Sequence, residues 1–80
     1  MSEESRVVLV IVTAPDRQTA EALAHGLLEK RLAACVNIVP GLRSHYWWQG
    51  QIESAEEVLM LVKARRQDVA TLTELVRSCH

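Results

Sequence analysis

Val7-Val8-Leu9-Val10-Ile11-Val12 and Val58-Leu59-Met60-Leu61-Val62 are the two stretches from which the fold is read. Both are short, aliphatic and rich in β-branched residues, which marks them as strands. Neither alternates. Successive side chains on a strand point to opposite faces of its sheet, so an all-apolar run needs cover on both. Between and after them lie two segments with helical spacing. Ala20, Leu23, Ala24, Leu27, Leu28 and the aliphatic stem of Arg31 recur on one face of residues 17–31, with Gln18, Glu21, His25 and Glu29 on the wetter side. Val69, Leu72, Leu75 and Val76 mark a second amphipathic helix over residues 67–78.

The punctuation agrees with these elements. Pro15 disfavours helix at Ala14, and Asp16 is a good N-cap for the helix beginning at residue 17. Gly26 inside the first helix costs about 1 kcal/mol against Ala, which suggests a close neighbour there. Cys35-Val36-Asn37-Ile38-Val39 is a further strand, broken at Pro40-Gly41; a proline there implies an edge position or a bulge. Extended character resumes from Leu42 to Trp48, Gln49-Gly50 turns the chain, and Gln51-Ile52-Glu53 starts the return arm of a hairpin.

Strand, helix, strand, strand, helix is the start of a ferredoxin-like split βαβ domain of the α+β class. In that fold the first and third strands lie centrally and both helices cover one face. Here those strands are apolar on both faces, and 80 residues leave nothing to cover the other. A second copy of the chain is the economical cover, so self-association is expected.

Composition narrows the function. A chain of 9.0 kDa is one domain that buries only about 63% of its unfolded surface. A net charge of −1 gives no electrostatic footprint for nucleic acid. Residues 1–5 carry two Glu and lack the basic start of a signal peptide, so they read as a tail ahead of a domain over residues 6–80. The run from Val7 to Val12 is too short to cross a bilayer. Cys35 and Cys79 form neither a CxxC pair nor a disulfide framework, and a reducing, cytoplasmic setting is expected. No GxSxG, HExxH or phosphate-binding GxxxxGK occurs, and the chain reads as a non-enzyme.

Several stretches resemble the CutA family of divalent-cation-tolerance proteins. They are Val12-Thr13-Ala14-Pro15-Asp16, the run Glu29-Lys30-Arg31-Leu32-Ala33-Ala34-Cys35-Val36-Asn37, and the hairpin residues Tyr46, Trp48, Gly50 and Ile52, followed by Glu57 and Lys63. The resemblance extends from Val7 to His80. It implies a homotrimer with hairpin strands pairing between neighbours, and a role in tolerance of copper or another divalent cation. It also implies two alternatives: an interaction scaffold of the acetylcholinesterase-anchoring type, or a ligand-sensing trimer like the PII proteins. Family members continue beyond the position of His80 with a fourth strand beside the first and a C-terminal helix. The first strand is therefore expected to present an open edge here.

The copper site of a bacterial relative in that family uses a Cys before Thr-Ala-Pro-Asp and two consecutive His, at positions held here by Val12, Cys79 and His80. Valine offers no donor, while thiolate and imidazole both suit Cu(I) or Zn(II), so Cys79 and His80 are the candidate metal ligands. Cys35 reads as a buried thiol, and His25 and His45 as surface residues. Tyr46 and Trp48, with neighbouring Trp47, are candidates for a pocket or an interface between subunits. Glu57 and Lys63 match family positions that face an inter-subunit cavity; a structural ion pair is the plain alternative.

Overall fold

The computed structural model describes residues 6–79. The tail assigned to residues 1–5 and the candidate ligand His80 lie outside the described residues. The elements run β1 (Val7–Ala14), α1 (Arg17–Glu29), β2 (Cys35–Trp48), β3 (Gln51–Arg65), a 3-10 turn (Arg66–Asp68) and α2 (Val69–Ser78). The expected α+β order is present. Its strands form one antiparallel sheet in the order β1-β3-β2.

β3 is central, pairing Val10 with Val62 on one side and Val36 with the same residue on the other. β1 lies at the edge of the sheet that the described residues form, as expected where the fold's fourth strand is not among them. Two expected pieces merge on either arm of the hairpin. β2 runs unbroken through Pro40-Gly41, where its register against β3 shifts between Val39 and Leu42. That shift is a bulge on an edge strand, which is how a sheet accommodates a residue with no N–H to donate. Gln49 and Gly50 both adopt positive φ, 50° and 78°, the geometry of a type I′ turn matched to strand twist.

Asp16 caps α1 by accepting a 2.7 Å hydrogen bond from the Thr19 backbone N–H. The helix ends at Glu29, two residues before the sequence pattern runs out. Arg31 takes a left-handed φ of 57°, and the N–H groups of Leu32 and Ala33 both turn back to the Leu27 carbonyl. Gly26 has no neighbour within 4 Å of where a Cβ would sit, so the close packing suggested by the sequence is absent among the described residues.

The core lies on one side of the sheet. Val58, Met60, Val62 and Ala64 of β3 and Val12 and Ala14 of β1 pack against Ala20, Leu23, Ala24 and Leu27 of α1 and Leu72 of α2. Among the described residues the other side carries no helix. Val7, Leu9 and Ile11 stand there 67%, 55% and 65% exposed, and Leu59 and Leu61 are half-buried between the flanking strands. The expectation of an apolar sheet face without cover therefore holds among the described residues.

Candidate functional site

Residues directly opposite one another on paired strands share a face, and every second residue along a strand stays on it. Tyr46 faces Glu53, Trp48 faces Gln51, Leu42 faces Glu57, and Lys63 lies between Leu9 and Cys35. Residues 51, 53, 57 and 63 are even intervals apart on the regular strand β3, as are Leu59 and Leu61. All four residues selected from the sequence, Tyr46, Trp48, Glu57 and Lys63, thus lie on the helix-free face. The sequence showed each of them but not their common side, which depends on register across a bulge.

They do not converge within one chain. At about 3.3 Å per residue, Glu57 and Lys63 are about 20 Å apart along β3, and the level of Tyr46 is about 33 Å from Lys63. An ion pair between Glu57 and Lys63 of one chain is therefore excluded, and neither makes one with any described residue. The lysine stands beside apolar Leu9 and the Cys35 thiol, and the glutamate beside Leu42. The described residues of one chain do not bring these groups together into a pocket.

Trp47 differs from its neighbours. A two-residue turn that pairs Trp48 with Gln51 must pair Trp47 with Ile52, and that pair lies on the opposite face. The cross-strand partnership with Ile52 is legible in the sequence once the turn length is counted. The arm beyond Leu42 and Glu57 has no buried residue; its cross-strand tie is Arg43, which reaches Ser54 Oγ at 3.1 Å and Glu56 at 3.6 Å.

Cys79 is the C-cap of α2 and is exposed, at the rim of a groove of about 380 Å³ between the helices that is also lined by Lys30, Gly26 and Leu75. Its thiol is available, but among the described residues no group of three or more His, Cys, Asp or Glu side chains gathers into a metal-ligand set. Cys35 is half-buried on the open face, with Sγ 3.9 Å from Asn37 Oδ1. The Asp16 carboxyl is held below the usual carboxylate range. The Thr19 backbone N–H, then the Thr19 side chain, stabilise its carboxylate and lower its pKa. That bonding serves the helix cap.

A model of the family of CutA1 divalent ion tolerance proteins matches residues 8–80. Among curated relatives, a CutA homolog of Xenopus laevis is 48% identical over 69 residues, covering 86% of this chain and 46% of its own. The divalent-cation tolerance protein CutA of Thermus thermophilus is 46% identical over 72 residues, covering 90% of this chain and 70% of its own. The chain spans a little under half the length of several such relatives. Among solved structures, the Thermus thermophilus protein superimposes with a TM-score of 0.88 at 44% identity, over 94% of this chain and 73% of that one. CutA1 from Oryza sativa gives 0.92 at 39% identity, over 99% and 72%.

Proposed function

The chain belongs to the family of CutA1 divalent ion tolerance proteins, and from that membership we propose that it works as a homotrimer that binds copper or another divalent cation. The observation that carries the oligomer is the helix-free face. An apolar surface formed by Val7, Leu9 and Ile11 with Leu59 and Leu61 is the kind of surface that marks an interaction site rather than a solvated one. Covering it with copies of the same sheet buries those side chains and brings the Tyr46, Trp48, Glu57 and Lys63 groups of different chains within reach of one another. A ligand pocket between subunits is the second reading, favoured by the placement of those four residues on that face.

For the metal, Cys79 supplies a soft donor at an exposed helix end, and His80 follows it directly. Two adjacent donors fall short of the usual three or four, so the site needs further donors beside this pair. The free thiols of Cys35 and Cys79 fit a reducing, cytoplasmic setting, and the domain proposed for this role spans residues 6–80.

Titration of Cu(I) and Zn(II) into the reduced protein, with light scattering alongside, tests the proposal. Cys79→Ala should weaken binding far more than Cys35→Ala, and affinity should fall at acid pH because thiolate ligation displaces a proton. Equal, small effects from the two substitutions would remove Cys79 as a ligand. A stable monomer at micromolar concentration would remove the oligomer.

A further inference from the structure

We propose that the groove between α1 and α2 binds a fatty carboxylate, with the hydrocarbon tail lying over Gly26 and the anionic head on Lys30. The observation that carries the proposal is Gly26. Glycine inside a helix is destabilising against alanine, and a close neighbour is the usual reason for keeping it there. The chain supplies none, since nothing lies within 4 Å of where a Cβ would sit. Gly26 lines instead a groove of about 380 Å³ whose apolar wall is Ala22, Leu23 and Leu75. An occupant of that groove is the neighbour that the sequence implies.

The groove is long and narrow. Gln18, Ala22, Gly26 and Lys30 are four residues apart and form one row along α1, and Leu75 and Cys79 form a row of α2 beside it. From Gln18 to Lys30 that row is about 18 Å long at helical rise, so the volume of about 380 Å³ leaves a cross-section on the order of 20 Å². One hydrocarbon chain fits it lengthwise, whereas a helix, about 10 Å across, does not enter.

Charge sets the head of the ligand. α1 and α2 follow antiparallel strands and run back over the sheet in opposite directions, so Cys79 lies at the Gln18 end and Lys30 closes the other. Lys30 is the one charged side chain among the described residues that line the groove, and it makes no ion pair with any of them. Glu29, next to it in the chain, lines a different cavity. A mostly apolar slot with an uncommitted cation at one end has the composition of a small-ligand site, and its complement is an apolar chain ending in an anion. The groove is on the helix side of the sheet, so the proposal does not depend on what covers the helix-free face.

The probe is dodecanoate, titrated into the reduced, metal-free protein with methyl NMR and iodoacetamide labelling as readouts. The Leu23 and Leu75 methyl signals should shift saturably, and alkylation of Cys79 should slow several-fold while that of Cys35, on the other side of the sheet, does not. Dodecan-1-ol should bind several-fold more weakly, and Lys30→Gln should bring the two ligands to the same affinity. Gly26→Leu puts a side chain into the open groove at a position better served by leucine than by glycine; it should raise the melting temperature and weaken dodecanoate at least tenfold. Ala22→Leu, at an exposed position of the same row, guards against a folding defect in that variant. If both groove-filling variants bind dodecanoate as the parent does, the groove is not the site. Equal affinity of the parent for dodecanoate and dodecan-1-ol overturns the pairing with Lys30, and the absence of any saturable shift overturns the proposal as a whole.

Discussion

Ile11→Asp discriminates between an apolar face that is covered by other copies and one that faces water. Ile11 sits mid-strand on β1, opposite Leu61, 65% exposed on the helix-free face. In an isolated chain the substitution touches little of the core. Its cost is the loss of β-branched preference on an edge strand, at most about 1 kcal/mol. If copies of the chain cover that face, the same side chain is enclosed. Fully burying an Ile is worth about 1.5–3 kcal/mol; 65% of that, the share still exposed in one chain, is about 1–2 kcal/mol lost at each copy. The introduced carboxylate adds a desolvation penalty of several kcal/mol unless it finds a cation. Lys63 lies one residue along the same face, flanking Leu9, and is the nearest candidate to relieve it. Even without the charge term, about 1–2 kcal/mol at each interface weakens association roughly tenfold per 1.4 kcal/mol. Size-exclusion chromatography with light scattering over a concentration series should show the variant dissociating where the parent chain stays assembled. Circular dichroism should show the fold retained. A variant with the parent mass at every concentration would refute the reasoning, because a buried interface cannot take a carboxylate at its centre without cost.

Asp16→Ala should lower the melting temperature by removing the acceptor for the Thr19 N–H, with little effect on assembly. The folded-state pKa of Asp16 is lowered, so its contribution is present above about pH 4 and is lost as pH falls through the folded value. The gap between parent and variant in a pH series of thermal melts should close at low pH; a constant gap would contradict the cap. Gly50→Ala places a Cβ on a residue at φ 78° and should cost about 1–2 kcal/mol, while Gln49→Asn, better suited to its positive φ, should raise the melting temperature. Denaturant unfolding of both checks the turn type, and insensitivity to both changes would mean that the arm contributes nothing to stability.

The amino-acid pattern alone determined the elements and their order. Aliphatic β-branched runs made β1 and the inner half of β3, a 3.6-residue period made α1 and α2, and Asp16, Pro40 and Gln49-Gly50 marked the cap, the bulge and the turn, because these depend on local sterics and hydrogen bonds. The need for a second cover on the sheet was also legible, since a strand apolar on both faces states that need without any partner in view. Tertiary structure decided the rest. That Tyr46, Trp48, Glu57 and Lys63 share one face while Trp47 turns to the other follows from register across the Val39/Leu42 shift, which no local preference encodes. That Glu57 and Lys63 cannot pair follows from the straight run of β3 between them. The end of α1 at Glu29 was set by Arg31 going left-handed so that Leu32 and Ala33 could turn back onto the helix. Positions within an element follow from the chain's own chemistry, whereas the company each side chain keeps follows from how elements pair, a non-local property.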